Sequence, residues 1–313
     1  MRYNSYIKNA IPISEIGLGA WQLGINSGWK NLSESEAINM VHTALDSGIN
    51  FIDTAPNYGN GTSETRLGKA LAGVDRSSFV INTKFGHTDT GVTNYDASYI
   101  RESLEGSLKR LRTDYVDSII IHSPPFEYLD GNKNDHYEIL EKLKDEGKIK
   151  AYGASLDTAE EMKLFMETTG CEVIEAFFNI LYQDAVNAFD MALEKEVGII
   201  AKIPFDSGWL TGKYDEDSTF EGIRSRWSKD DIKTRAKLVQ RIQQIIGDEL
   251  SIAQVALSCC LAFDAVSTVI PGNTSIDQLN RNIESVSKPI PSNLVSELRE
   301  FYSAEVRDLN LPW

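Results

Sequence analysis

Short apolar runs alternate with amphipathic stretches along almost the whole chain, which predicts strand–helix units in series. Ile13 to Trp21, interrupted by glycine, reads as the first strand of that series, and residues 1–12 read as a small hairpin or floor before it. Ala37, Ile38, Val41, Ala44 and Leu45 then recur at helical spacing behind Ser33 or Ser35, either of which suits a helix cap. Gly48, free to turn left-handed, ends that helix. Asn50-Phe51-Ile52-Asp53 is a second strand, bounded by a Pro/Asn/Gly turn. A helix over 63–71, a strand over 79–84 and a helix from Asp96 follow, the last with Ile100, Leu104, Leu108 and Leu111 on its buried side. The alternation continues with a strand over 116–121, a helix over 135–146 stopped by Gly147, a strand over 149–155, a helix over 159–168 and a strand over 173–178. A helix over 185–196, with Ala188, Phe189, Ala192 and Leu193 inward, leads to a seventh strand over 198–203.

The segment from Pro204 to about Ser228 lacks either periodicity, and its length marks it as a functional loop. Helices over about 230–247 and 251–262 precede an eighth strand over 266–270. Ile276, Leu279, Ile283 and Val286 mark the last barrel helix, and a tail helix near 291–304 leads to Leu311-Pro312-Trp313. Apolar strands between helices imply a parallel sheet covered by helices. Eight units predict an α/β fold, a (β/α)8 TIM barrel with parallel strands and extra C-terminal helices. An open doubly wound sheet is the alternative, but no G-x-G-x-x-G follows the first strand. With no linker or low-complexity segment, residues 1–313 read as a single domain.

Composition narrows the class of partner. A hydrophobic content of 42% is ample for a core, and a formal net charge of −15 argues against nucleic acid or an anionic membrane. The N-terminus lacks the apolar centre of a signal peptide, and no run reaches the ~18–20 apolar residues of a membrane span. Cys171, Cys259 and Cys260 form no disulfide framework, which favours a reducing cytoplasm. His42, His87, His122 and His136 are scattered without zinc-ligand spacing, so no metal site is expected. The sequence carries no signal for an oligomeric state.

The chemistry gathers at strand ends. Asp53, Lys84 and His122 close the second, third and fourth strands, and Tyr58 lies in the loop just after the second. In a parallel barrel these ends share the face where active sites form. A free tyrosine ionises near pH ~10, too high for ready proton transfer, and a neighbouring ammonium lowers that value. Asp53 suits holding Lys84 charged, and His122 suits a hydrogen bond to a substrate oxygen. No activated Ser or Cys nucleophile is evident, so proton transfer to a carbonyl oxygen is the chemistry expected.

With these residues in place, the chain resembles the aldo-keto reductase family over essentially its whole length. The matching motifs are Gly17-Leu18-Gly19, Asp53-Thr54-Ala55-x-x-Tyr58-Gly59, Thr83-Lys84, His122, Gly153-x-Ser155, Gly208-x-Leu210-Thr211-Gly212-Lys213 and Pro271-Gly272. The resemblance implies catalysis by Tyr58, Asp53, Lys84 and His122. It also implies a nicotinamide cofactor, NADP(H) favoured and NAD(H) the alternative, and a small aldehyde, ketone or sugar carbonyl, or the corresponding alcohol, as substrate. Its cofactor side would comprise Ser155, Glu175, Lys202, Pro204, Gly208, Leu210, Gly212, Lys213, Gly272, Thr274, Gln278 and Asn282. Arg224 and Arg226 are further phosphate-contact candidates, and Arg281 is a substitute cation for an arginine the family often carries where Thr274 stands. Leu156, Glu175 and Lys202 replace the family's asparagine, glutamine and nicotinamide-stacking aromatic. Trp21, Trp209 and Trp227, with Tyr58, His122 and Trp313, are expected to wall the substrate pocket with aromatic faces. The three replacements motivate a second reading, a cofactor-binding sensor or auxiliary subunit with little turnover. A barrel hydrolase ranks last.

Overall fold

In the computed structural model, which describes residues 1–8, 10–24, 30–288, 290–309, 311 and 312, the first predicted strand is divided among two sheets. β1 (Tyr3–Asn4) and β2 (Ile13–Ser14) form an antiparallel hairpin, and only β3 (Leu18–Gly19) joins the main sheet. The chain changes partner at Glu15: its N–H donates to the Arg2 carbonyl of the hairpin, while its carbonyl accepts from Val269 in the last strand.

The main sheet continues through β4 (Phe51–Asp53), β5 (Val80–Phe85), β6 (Val116–Ile121), β7 (Ile149–Leu156), β8 (Val173–Phe177), β9 (Gly198–Lys202) and β10 (Val266–Val269). Each strand pairs parallel with its sequence neighbour, giving eight strands in chain order among the described residues. Parallel bridges Ile16–Val269 and Gly19–Gly272 bring the first edge onto the last, which curls the sheet closed. This is the expected (β/α)8 barrel. The helices are α1 (Glu34–Asp46), α2 (Thr62–Ala70), α3 (Ile100–Leu111), α4 (His136–Asp145), α5 (Ala159–Thr168), α6 (Phe189–Glu194), α7 (Lys229–Ile246), α8 (Ile252–Leu261), α9 (Ile276–Ser287) and α10 (Ser292–Phe301). Ser33, rather than Ser35, caps α1, in a reciprocal capping box with Glu36.

One inward assignment is corrected. The helix expected over 185–196 is a 3-10 segment, Asp184–Ala188, followed by α6, and Leu193 is 49% exposed. The α-helical part is only six residues long, and Phe189 and Ala192 form its buried face while Leu193 turns to the outside.

Two apolar clusters position the site. Inside the barrel, Phe51, Val80, Ile120, Ala151, Val173, Ile200 and Ile270 pack against Tyr6, Ile7 and Ile13. Val80 and Val173 begin their strands, so the N-terminal segment plugs the end of the barrel opposite the strand C-termini. Beside the barrel, α7, α8 and α10 enclose a second cluster that includes Trp209, Leu210 and Trp227. Among the described residues no helix is long and apolar enough to cross a membrane.

Candidate active site

The C-terminal ends of the strands deliver polar side chains to one cavity of about 990 Å³. Its lining includes Asp53, Tyr58, His122, Ser155, Glu175 and Lys202, from successive strand ends and the loop after β4. Lys84 stands behind them, fully buried on β5.

Lys84 Nζ donates to Asp53 Oδ1 at 2.5 Å and to the Thr54 carbonyl at 3.1 Å. It also lies 3.1 Å from Glu175 Oε2, within ion-pair distance but without hydrogen-bond geometry. One ammonium therefore serves two carboxylates. Burial, reinforced by Glu175 and opposed by Lys84, pushes the Asp53 carboxyl up to about 7. Burial disfavours charge on Lys84, yet Asp53, Glu175 and Tyr58 together hold it well above the ordinary lysine value.

Tyr58 sits above this pair, its ring centroid 5.2 Å from Lys84 Nζ. Burial raises the phenol's pKa most; Lys84 lowers it, and Asp53 and Glu175 raise it again, leaving it well above the ordinary tyrosine value. The His122 ring meets Tyr58 edge-on at 5.9 Å. Burial, then the charges of Lys84, His87 and Lys202, hold His122 well below the usual histidine value, so it is a neutral imidazole.

A second lysine lies beside this group. Lys202 Nζ donates to Ser155 Oγ at 2.9 Å and pairs with Asp157 Oδ1 at 2.7 Å, while Ser155 Oγ donates to Glu175 Oε1 at 3.5 Å. Below Asp53, Asn82 Nδ2 donates to Asp53 Oδ1 at 2.8 Å, Ser118 donates to Asn82, and the Tyr6 hydroxyl contacts Ser118 at 2.6 Å. A polar string thus descends from the site to the plug.

The remaining expected positions divide. Trp21, Pro204, Gly208, Lys213, Gly272, Thr274, Gln278, Asn282 and Arg281 line the same cavity. Leu210 and Gly212 do not; Leu210 packs into the second cluster, and Gly212 ends a turn in the left-handed conformation. Trp209 and Trp227 do not wall the cavity either. Their rings lie 6.0 Å apart in the second cluster, because large aromatic rings this apolar are drawn into the core the extra helices provide. Neither Arg224 nor Arg226 is part of the lining. Trp313 lies outside the described residues.

Sequence reasoning missed Asn82, Ser118 and Asp157. Asn82 and Ser118 carried a signal as polar residues inside apolar strands, and Asp157 as an acid just past the end of β7. The buried lining atoms Gln22 Oε1, Asn57 Oδ1 and His122 Nδ1 have no hydrogen-bond partner within the protein. Buried polar atoms are rarely left so, which suits a polar ligand in this cavity. No grouping of His, Cys, Asp or Glu able to hold a metal ion occurs among the described residues.

A sequence model of the aldo/keto reductase family matches residues 15–303. Aldo-keto reductase YhdN of Bacillus subtilis is 33% identical over 71% of this chain and 67% of its own length. The NADH-specific methylglyoxal reductase of Escherichia coli is 27% identical over 94% and 96%. Among solved structures, the holo form of aldo-keto reductase AKR11C1 from Bacillus halodurans superposes with a TM-score of 0.82, at 25% identity over 99% of this chain and 100% of that one.

Proposed function

The chain belongs to the aldo/keto reductase family of oxidoreductases, and from that premise we propose that it reduces a small aldehyde, ketone or sugar carbonyl to the alcohol, or runs the reverse, as a single domain over residues 1–313. The observation that carries this reading is the fully buried Lys84, 2.5 Å from Asp53 and beside the Tyr58 ring. When bound, a nicotinamide nucleotide supplies or accepts the hydride. Tyr58 holds a proton at Oη and gives it to the carbonyl oxygen, or takes it back from an alcohol. Lys84 stabilises the phenolate left behind, and Asp53 keeps Lys84 charged and aimed. Neutral His122 orients the substrate oxygen by a ring N–H.

Gln22 Oε1, Asn57 Oδ1 and His122 Nδ1, buried atoms of the cavity without a hydrogen-bond partner within the protein, support a polar nucleotide there. Ser155, Glu175 and Lys202 would hold its nicotinamide end. Pro204, Gly208, Lys213, Gly272, Thr274, Gln278 and Asn282 would hold the remainder, with Leu210 and Gly212 shaping the loop from behind. NADP(H) is the favoured form, because Arg281 and Lys288 offer cations at the same cavity for an added phosphate; NAD(H) is the alternative, and one relative is named NADH-specific. The net charge of −15 supports a small-molecule partner rather than nucleic acid or a membrane, and three free cysteines support a reducing cytoplasm.

Substituting Tyr58 tests the reading. Tyr58→Phe is expected to lower turnover of methylglyoxal by at least about a hundredfold, while nicotinamide fluorescence titration shows nucleotide binding retained. Turnover like the wild type in that variant would overturn the proton-donor role. A second reading, a nucleotide-binding auxiliary subunit, is favoured by the engagement of Lys202 with Ser155 and Asp157. Tight nucleotide binding with negligible turnover across a broad carbonyl panel would select it.

A further inference from the structure

We propose that Glu175 is a positioning residue of the reaction: as a second carboxylate on Lys84, it holds the proton on Tyr58 and biases the centre toward carbonyl reduction. The proposal rests on the reading of Tyr58 as proton donor and goes beyond it, since proton donation itself needs only one counter-ion for the lysine.

The geometry is an ammonium between two acids. Asp53 and Glu175 reach Lys84 Nζ at 2.5 and 3.1 Å, and none of the three side chains is more than 5% exposed. Loss of the Tyr58 proton would place a third negative charge around that single cation. At such separations in a poorly solvated site, each added charge has a large effect. The groups facing this centre are Asp53 from β4, Lys84 from β5, His122 and His87 at the ends of β6 and β5, Ser155 and Asp157 from β7, Glu175 from β8, Lys202 from β9, and Tyr6 from the plug below. Neutral His122 offsets none of the negative charge. Lys202 is the one further cation in that set, and its ammonium is held by Asp157 and Ser155 at 2.7 and 2.9 Å. It balances Asp157, and the centre around Lys84 retains its excess of carboxylate.

The consequence has a definite sign. Reduction requires the phenol, so an extra carboxylate lets reduction persist to higher pH. Oxidation requires the phenolate as base, so the same carboxylate delays oxidation to more alkaline pH.

Glu175→Gln keeps the shape and removes the charge. Two readouts apply: the alkaline limb of kcat/KM for methylglyoxal reduction, and the ionisation of Tyr58 followed by 13C NMR of Cζ-labelled tyrosine, its resonance assigned by Tyr58→Phe. Both are expected to move down by about one pH unit in Glu175→Gln, and Glu175→Asp is expected to stay near the wild type. Coincident titrations and unmoved limbs in Glu175→Gln would overturn the proposal. So would an equal shift in Glu175→Asp, which would mean packing rather than charge. If Tyr58→Phe keeps full turnover, the proton-donor reading fails; if it is inactive while Glu175→Gln shifts nothing, only the role of Glu175 fails.

Discussion

Thr274 directs both of its donors at one acceptor: its backbone N–H and hydroxyl reach Gln278 Oε1 at 2.8 and 2.9 Å. Its side chain is therefore engaged within the protein, and Arg281, further along α9, is a cation lining the same cavity. Thr274→Arg is expected to tighten NADPH binding at least about tenfold, as a charge-assisted hydrogen bond to a phosphate would, and to leave NADH affinity unchanged. Paired fluorescence titrations measure this, and equal effects on both nucleotides would show that position 274 does not face the added phosphate. At the same scale, Asp53, Lys84 and His122 were legible because each ends an apolar strand whose direction the parallel topology dictates. Asn82, Ser118 and Asp157 were not singled out, because a polar residue reads as a partner only once the neighbouring strand's register is known. Trp209 and Trp227 misled for a related reason: an aromatic side chain suits a pocket wall and a core equally, and only the extra helices decide between them.

The loop between β9 and α7 is strained at its start. Ile203, Asp206 and Ser207 all take positive φ, at 56°, 44° and 54°, and each such residue costs on the order of 1–3 kcal/mol. A buried ion pair holds the strained segment: Arg235 Nε donates to Asp206 Oδ2 at 3.0 Å, with both side chains fully buried. Arg235 Nη2 also donates to the Tyr182 hydroxyl and to the Pro312 carbonyl, tying the chain's end to the same point. Burial pushes the Asp206 carboxyl up and Arg235 opposes that shift, so removing the arginine leaves an uncompensated acid. Arg235→Met should cost about 3–5 kcal/mol in urea unfolding, and Asp206→Asn on top of it should restore part of the loss. Additive losses would show that the two side chains are not coupled. The sequence showed this loop as a long aperiodic stretch but gave it no anchor. Arg235 stands three residues after Ile232 and four before Val239, on the buried stripe of α7; a charge on an apolar stripe was the available signal.

Across the whole molecule, the plug at one end of the barrel and the chemistry at the other are joined by a single polar string, Tyr6–Ser118–Asn82–Asp53. The barrel itself followed from eight apolar runs in series, and residues 1–12 read as a hairpin or floor beneath it, but which of their side chains enter the barrel did not follow, because so short a segment has no periodicity to give one face. Their function is nonetheless to close the barrel: Tyr6 is 2% exposed and its ring meets Phe51 edge-on at 5.2 Å inside it. Tyr6→Ala should therefore lower stability by about 3–5 kcal/mol, the range for deleting a large buried aromatic, whereas Tyr6→Phe should cost about 1 kcal/mol for the lost hydroxyl contact. Urea unfolding of the two variants separates packing from hydrogen bonding. The same pair links the plug to the site. Burial is the largest cause of the raised Asp53 carboxyl, so a cavity that admits water beneath Asn82 lowers that value toward the ordinary aspartate range. An acid whose pKa is raised by folding contributes stability that is lost as pH rises through that raised value. The Tyr6→Ala penalty should accordingly be larger at pH 4 than at pH 8, because hydrating Asp53 removes a contribution present only at the lower pH. A penalty independent of pH would mean that the plug seals the barrel without controlling the water around Asp53.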